Sequence, residues 1–451
     1  MRSLFRIATV YYACLPFVVC SAAFADPLPV PPAIDPGYAR QFGGTVNSTV
    51  LPNGLRIITL EDHSAELVAV EVWVKAGNLY ETESNNGAAH FLEHLLFKGT
   101  AKRGPGQADR EIEGLGATLD ATASKDSIRI DTTVSSKYCD IALDVLTDVT
   151  MRAKLDPDEM ERERGVILDE IARRNLDPFR AITGLISKAE FPNHPYGRSV
   201  EGTSETVTAI TSKQLRDYYE TYFVPNNMAV VVVGDITQAR AVAAVTQAFK
   251  DFKKKDLPLL KTPAQPPPGP VSQKVKRETK LTYCALSFPA PGVGNLDDVY
   301  PMDVLLTYMV AGYQSWMESE LKTAKGIVQV VTGEFTTHKD PGGLFLMFGC
   351  EQAGVDQARQ AILAKLKSIR ETPLSDADVA RAKRSLEGNF AFDVETFSGR
   401  AHILGFYDSL GDYKLALSYA DNIDKVTPER IRQAALKYID PDKAVVVEAG
   451  P

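Results

Sequence analysis

The chain of 451 residues has few cysteines, no excess of basic residues and no long apolar run after its first 25 residues. Beyond that point only Cys139, Cys284 and Cys350 remain. These are too few for a disulfide framework, so we expect buried thiols, with one disulfide pair as the alternative. Lys and Arg total 50 against 58 Asp and Glu, and the net charge of −8 argues against nucleic acids and acidic substrates as ligands. No later stretch approaches the roughly 18 apolar residues of a transmembrane helix, so we expect no membrane span.

The first 25 residues have the features of a secretory signal. Arg2 and Arg6 stand at the start of an apolar run over residues 7–19, and Ala-Phe-Ala follows at 23–25. We therefore expect cleavage near Ala25 and a periplasmic or secreted protein. Cys20 suggests a lipoprotein signal as an alternative, but the residues before it are larger than such a site favours.

Composition and chain punctuation predict a globular protein of two domains. Hydrophobic residues make up 44% and charged residues 24%, a balance typical of a folded, soluble core. Residues 26–45 are rich in Pro and Gly and are predicted to form an extended leader before a first strand beginning at Gly54. A second Pro-rich stretch predicts a linker at 251–280, which separates an N-terminal domain (46–250) from a C-terminal domain (281–451).

An internal repeat relates these two halves. Segments 210–234 and 426–450 lie 216 residues apart and share Thr, Tyr, Pro, paired Val and Gly at matching positions. Each segment has the pattern of a helix, a turn and a strand. We therefore predict an α+β fold of two tandem homologous domains, each with a mostly antiparallel sheet that helices cover on one face.

A short predicted helix carries the most informative motif, H-x-x-E-H. His90 and His94 are one helical turn apart, so both imidazoles can reach one metal ion. Glu93 lies beside them and can act as a general base in metal-assisted hydrolysis without being a ligand. Polar residues at 84–86 are candidate N-caps, and Gly99 is a candidate stop. The alternative is two core histidines and a helix salt bridge, but this pattern rarely arises by chance with only six His in the chain.

A catalytic zinc site needs a third protein ligand from another element. The sequence Asp156-Pro157 predicts the start of a helix that carries Glu163 and Glu170 on one face, two turns apart. Glu170 is the predicted ligand, and Glu163 is predicted to orient a ligating histidine. Asp169 is the local competitor for the ligand role, but it points about 100° away around the helix.

These residues resemble the pitrilysin and insulinase-like zinc metallopeptidases, in the branch of the mitochondrial processing peptidase β subunit and its bacterial relatives. The family signature is H-x-x-E-H followed by a glutamate ligand, and here His94 precedes Glu170 by 76 residues. The stretches Asn-Gly-Leu-Arg at 53–56 and Phe-Lys-Gly-Thr at 97–100 also look like this family, as does a glutamate at the position of Glu163. The resemblance covers nearly the whole chain after residue 25.

The resemblance implies a clam-shell chamber of which one chain forms half. Peptide substrates would bind as an added strand at a sheet edge near the zinc, which here corresponds to residues 116–122. Asp120 and Ala121 are the substrate-binding residues that this comparison indicates. The family usually has Asn where Asp120 stands, which leaves the backbone contact at Ala121 as the better supported one.

The second half lacks the metal motif, yet Arg400 and Tyr407 resemble the family's Arg/Tyr pair that contacts the scissile carbonyl from the opposite wall. The alternative is a surface Arg and a half-buried Tyr. If the pair acts in catalysis, the site needs a second chain to complete it. That chain would be another copy in a homodimer, or a catalytically silent homologue in a heterodimer.

The function indicated is that of a zinc endopeptidase or oligopeptidase with one Zn²⁺ per chain. His90, His94 and Glu170 would hold the metal, for which Mn²⁺ and Co²⁺ are alternatives by ligand type. The competing function is a non-catalytic peptide-binding or assembly subunit, which would be expected to have lost the H-x-x-E-H residues. A serine or cysteine hydrolase lacks support, because the sequence has no G-x-S-x-G motif.

Overall fold

A computed structural model of the protein describes residues 42–260, 262–263 and 269–451. The predicted signal, residues 26–41 of the predicted leader and the proline run at 266–268 lie outside these ranges. The strands are β1 (Val46–Val50), β2 (Arg56–Glu61), β3 (Leu67–Val74), β4 (Leu119–Ala123), β5 (Ile128–Ser135), β6 (Met228–Gly234), β7 (Val271–Lys276), β8 (Thr282–Ala290), β9 (Val330–Glu334), β10 (Gly342–Cys350) and β11 (Val445–Gly450).

The helices of the first half are α1 (Ala88–Leu96), α2 (Gln107–Glu113), α3 (Cys139–Met151), α4 (Pro157–Leu176), α5 (Pro178–Glu190), α6 (Ser204–Ala209), α7 (Ser212–Tyr222) and α8 (Gln238–Phe249). Those of the second half are α9 (Leu296–Val310), α10 (Val355–Glu371), α11 (Asp376–Asp393), α12 (Phe397–Leu410), α13 (Lys414–Asp424) and α14 (Pro428–Tyr438), with a π-helix at Met317–Ala324. None of the described helices is both long and apolar enough to cross a membrane.

Two mixed sheets form the framework. The first has six strands in the order β1-β2-β6-β3-β5-β4, and the second has five in the order β7-β11-β8-β10-β9. Only the β2–β6 and β7–β11 pairs are parallel, so both sheets are mostly antiparallel, as predicted. Strand β4 is an edge strand of the first sheet.

The internal repeat is confirmed element by element. Helix α7 and helix α14 begin 216 residues apart, at Ser212 and Pro428, and each is followed by a short turn and a buried central strand. In each case a Thr immediately before the helix caps it with its hydroxyl oxygen. The repeated sequence therefore encodes the same local structure twice.

Helices cover both faces of each sheet, which corrects the expectation of one covered face. Alternate residues of β3 point to opposite sides, so Val70 and Val72 pack with α1 while Ala69 and Trp73 pack against α12 from the second half. Gly405 permits this approach, because a Cβ there would lie 2.0 Å from Nε1 of Trp73. Helix α5 of the first half likewise packs on the second sheet through Ile182 and Ile186. Each half thus supplies a helix that completes the core of the other.

Two sequence-predicted boundaries differ from the structure. The first described strand is β1, before the predicted start at Gly54, because β1 pairs antiparallel with β2 in a hairpin that Gly54 helps to turn. Strand β7 lies within the predicted linker at 251–280, where it pairs in parallel with β11. Its alternating lysines gave this segment the polar sequence pattern of a connecting loop. An exposed edge strand nevertheless tolerates such residues.

Candidate metal centre

Helix α1 presents the H-x-x-E-H residues from a rigid, buried position. It begins after Gly87, whose φ of 99° suits glycine, and a Cβ at this residue would lie 2.9 Å from the carbonyl oxygen of Glu201. The N-cap is therefore Gly87, and the prediction of a cap among residues 84–86 was wrong. The helix ends at Leu96, three residues before Gly99.

Glu81 fixes the start of α1 and was missed by the sequence analysis. Its buried carboxylate accepts hydrogen bonds from the N–H groups of Gly87 at 2.9 Å and Ala89 at 2.8 Å, and from the side chain of Asn86 at 2.9 Å. Burial raises the pKa of Glu81 to about 7, although these donors oppose the rise. An acid seven residues before the first residue of a helix is not a recognised capping pattern, so the sequence gives no signal for this role.

Helix α4 brings the predicted third ligand to α1. The Asp156 carboxylate caps it by accepting from the N–H of Asp158, and Pro157 occupies its first position, as predicted. The side-chain Oε2 of Glu170 lies 3.7 Å from Nε2 of His90 and 3.5 Å from Nε2 of His94. Asp169 is exposed. Among the described residues, only His90, His94 and Glu170 form a cluster of potential metal ligands, with ligand atoms all within 4.8 Å of one another.

The donor set fits a divalent metal such as zinc. Two imidazoles and one carboxylate converge, and the ring centroids of His90 and His94 are 4.8 Å apart. Burial and the neighbouring His94 lower the pKa of His90 to about 4, so its ring is neutral and can donate a lone pair at neutral pH. A metal held here would have room for a further ligand, because the chain supplies three.

Glu163 holds His94 in the orientation that a metal requires. Its Oε2 lies 3.0 Å from Nδ1 of His94, and Nζ of Lys98 lies 2.9 Å from its Oε1. Burial opposes ionisation, but these two partners outweigh it and keep the pKa of Glu163 below its usual value. Burial opposes protonation of His94, but its hydrogen bonds to Glu163 and Glu170 raise the pKa of His94 to about 9, so a metal would displace the proton on Nε2. With Nδ1–H donated to Glu163, the Nε2 lone pair freed in this way points toward Glu170.

Replacing Glu163 with Gln is expected to weaken metal binding by about 10–100-fold, because the amide cannot match the charged partner of His94 and Lys98. Competition with a chromophoric chelator would measure this affinity. Glu161→Gln, an exposed change on the same helix, is the matched control and should leave the affinity unchanged. Equal affinities in the two variants would contradict the orienting role of Glu163.

Glu93 bridges the ligand cluster and the sheet edge. Its Oε2 accepts a hydrogen bond from the backbone N–H of Ala123 on β4 at 2.7 Å. Burial raises the pKa of Glu93 to about 7, while the bond from Ala123 and the nearby His94 favour the ionised form. A carboxylate titrating near neutral pH can both accept and return a proton, which is what a general base requires.

The edge strand β4 turns alternate backbone groups outward. Ser124 donates its N–H to Ser127 in the turn to β5, while Ala123 donates to Glu93 on the opposite side. By the alternation of antiparallel strands, the backbone of Ala121 also points away from β5, and that of Asp120 points toward it. The predicted backbone contact at Asp120 was therefore wrong, since its groups belong to the ladder with β5, whereas Ala121 is oriented to accept an added strand.

Arg400 and Tyr407 are packed inside the described chain rather than presented to a substrate. Both lie on α12, on the face of the first sheet opposite to α1, and both side chains are buried. Arg400 bonds to Asp62 Oδ2 at 2.6 Å and to the carbonyl oxygen of Phe42 at 2.9 Å. The expectation that they contact a scissile carbonyl thus lacks structural support, because a spacing of seven suits a core helix face as well as a catalytic pair.

The sequence profile of the insulinase family, peptidase family M16, matches residues 56–204, and that of the peptidase M16 inactive domain matches residues 209–386. An uncharacterized zinc protease of Mycobacterium leprae is 30% identical over 406 residues, spanning 89% of this chain and 91% of the relative. This chain belongs to peptidase family M16. The resemblance predicted from the His94–Glu170 spacing is confirmed, and the ligand cluster falls within the first of the two matched M16 segments.

Further M16 relatives are similar to this chain in sequence or structure along most of its length. A probable mitochondrial-processing peptidase subunit beta of Arabidopsis thaliana is 28% identical over 422 residues, spanning 89% of this chain and 78% of that protein. The crystal structure of a protease from Helicobacter pylori superposes with a TM-score of 0.84, covering 90% of this chain and all of that one at 23% identity. The latter likeness shows the fold of two tandem α+β units.

Proposed function

We propose that this chain is a zinc-dependent endopeptidase that hydrolyses small or unfolded peptides bound as an added strand along β4. The observation that carries the proposal is the position of Glu93, which adjoins the ligand His94 on α1 and whose carboxylate accepts a hydrogen bond from the outward N–H of Ala123 on β4. A base, a set of metal ligands and a peptide-binding edge are thus adjacent. Zinc protease is also the name of similar proteins in three bacterial genera.

Each residue has a distinct part in the proposed reaction. His90, His94 and Glu170 hold Zn²⁺, which when bound supplies Lewis-acid polarisation of the scissile carbonyl. Glu93 takes a proton from the attacking water and returns it to the leaving amine. Glu163 keeps His94 in the required tautomer, and Ala121 binds the substrate backbone through its outward N–H and C=O.

We also propose that the chain acts together with a second homologous chain in the periplasm or outside the cell. Support for a partner comes from the relative named as a subunit beta, and support for export comes from the sequence pattern of residues 1–25. Because Arg400 and Tyr407 are buried, this proposal does not depend on them. The second chain would be either another copy of this chain or a catalytically silent homologue.

Removal and return of the metal tests the proposed function. The zinc-loaded chain is expected to cleave an internally quenched fluorescent peptide at an internal bond, to lose this activity in excess chelator, and to regain it when Zn²⁺ is restored. Mass spectrometry of the products would identify the bond. Hydrolysis that persists without metal would refute the proposal. Bound zinc with no cleavage of any peptide would favour the alternative, a non-catalytic peptide-binding or assembly subunit.

A further inference from the structure

The two predicted histidine ligands differ in what holds their second ring nitrogen. Nδ1 of His94 is bonded to Glu163, whereas Nδ1 of His90 is buried and has no hydrogen-bond partner among the described residues. His90 as a whole is 9% exposed, and its Nε2 lies 3.7 Å from Oε2 of Glu170. A ligating histidine usually donates its other ring N–H to a carboxylate, a carbonyl or a water molecule. A partner for Nδ1 of His90 is therefore expected close to the metal centre.

The loop before α6 packs against the first turn of α1. A Cβ placed on Gly87 would lie 2.9 Å from the carbonyl oxygen of Glu201, so the two backbones are in contact there. The amide of Asn86 also donates to the carbonyl oxygen of Ser199 at 2.8 Å. Side chains on a helix lean toward its N-terminus, so the ring of His90 lies over this same turn. The loop that carries Glu201 is thus adjacent to the ring of His90.

Arg174 anchors the side chain of Glu201 to the second ligand helix. Its Nη1 lies 3.3 Å from Oε2 of Glu201. The same guanidinium donates to the hydroxyl of Ser199, which donates in turn to Oε2 of Glu201 at 2.7 Å. Arg174 follows Glu170 by one turn on α4 and shares its face of the helix. The carboxylate is therefore fixed between the two ligand helices, and because both contacts are made by Oε2, Oε1 keeps lone pairs for a further donor.

The charge of Glu201 acts on His90. Burial opposes ionisation of Glu201, but Arg174 and a serine hydroxyl outweigh it and keep the pKa of Glu201 below its usual value. The largest effects on the pKa of His90 are burial and His94, which lower it. Glu201 opposes this lowering more strongly than Glu170 does. An ionised carboxylate thus lies close to the His90 ring, although it is not within hydrogen-bond distance of Nδ1.

We propose that Glu201 is the positioning residue of His90, whose Nδ1–H it accepts through a bridging water molecule. Such a bridge spans a gap that is too wide for a direct hydrogen bond. It holds the ring in the tautomer whose Nε2 lone pair is directed at the metal, which is the part that Glu163 plays for His94. This inference rests on the metal centre of the proposed function, and it adds a residue that the sequence analysis did not indicate.

Zinc affinity in a set of single variants of the full chain tests this role. Glu201→Gln should weaken zinc binding about 10-fold, because a neutral amide is a poorer acceptor than a carboxylate. Glu201→Asp keeps the charge and should recover most of this loss. Ser199→Ala removes contacts within the loop but keeps the carboxylate, and Glu205→Gln removes a nearby exposed acid. Both of these controls should retain the affinity of the unchanged chain in competition with a chromophoric chelator.

Nitrogen NMR of the zinc-loaded chain with labelled histidines distinguishes positioning from a structural role. In the unchanged chain, Nδ1 of His90 should carry a proton that exchanges slowly with solvent. In Glu201→Gln this exchange should be faster, while the Nδ1 signal of His94 stays the same. Thermal unfolding in excess chelator would show whether each variant folds without metal.

Two results would overturn the role of Glu201. One is equal zinc affinity of Glu201→Gln and Glu205→Gln. The other is a weakening that Ser199→Ala shares while the His90 signal does not change. If Glu201→Gln does not fold, Glu201→Asp decides the matter, because its shorter side chain should alter the Nδ1 signal of His90 alone, and an unaltered signal would equally refute the role.

These measurements are independent of the proposed function, because no peptide enters them. Weaker zinc binding by Glu201→Gln in a chain that cuts no peptide would refute the peptidase proposal and leave the role of Glu201 intact. Zinc-dependent hydrolysis together with unchanged zinc affinity in Glu201→Gln would do the reverse.

Discussion

Glu93→Gln is expected to lower kcat/KM for peptide hydrolysis by about 10²–10⁴-fold while leaving the bound zinc in place. Gln keeps the size of the side chain and its hydrogen bond from Ala123, but its amide cannot accept a proton from water. The metal ligands are untouched, because Glu93 is not a member of the His90/His94/Glu170 cluster. Peptidase assays together with zinc analysis of the same samples would measure both quantities.

The matched control for this variant is Glu113→Gln, an exposed change at the end of α2. It should retain both zinc and activity. Undiminished hydrolysis by Glu93→Gln with zinc bound would exclude Glu93 as the general base. Loss of zinc from this variant would instead assign Glu93 to metal binding, contrary to its position beside β4.

Glu170→Ala is expected to abolish stoichiometric zinc binding and, with it, activity. The change leaves His90 and His94 as the only protein ligands of the cluster, and two neutral imidazoles do not balance the charge of the ion. The loss of zinc affinity should exceed the factor of about 10–100 expected for Glu163→Gln. Glu170→Ala removes a metal ligand, whereas Glu163→Gln only weakens the hydrogen bond that orients one. Zinc content after dialysis and the affinity from chelator competition are the two measurements.

Asp169→Ala provides a close comparison for Glu170→Ala. The two acids are neighbours in the sequence, but Asp169 is exposed and lies outside the ligand cluster. The Asp169→Ala variant should bind zinc as tightly as the unchanged chain. The ligand assignment would be wrong if Asp169→Ala lost zinc and Glu170→Ala retained it.

Local rules predicted the centre of the site from the sequence. On a helix, positions 90 and 94 necessarily share a face, and so do positions 163 and 170, so two helices needed only to pack together to assemble the cluster. The repeat at an offset of 216 likewise predicted two related α+β units, because the same helix, turn and strand pattern recurs. These inferences depended on periodicity within single elements, which the sequence carries directly.

Features that depend on packing between distant segments were missed or wrong. Nothing in the sequence indicates that Glu81 reaches the N-terminus of α1, or that α5 and α12 each cover the sheet of the other half. Arg400 was assigned by its spacing from Tyr407, but its partner Asp62 lies 338 residues away in the chain. Such contacts follow from the tertiary fold and have no local pattern.

The location of bound zinc tests the central claim most directly. Anomalous diffraction at the zinc absorption edge, from crystals of the zinc-loaded full chain, would locate the metal without reference to activity. We predict one strong peak per chain among His90, His94 and Glu170, about 2.0–2.2 Å from the nearest nitrogen and oxygen atoms. A peak at other residues, or none at this cluster after zinc loading, would contradict the account.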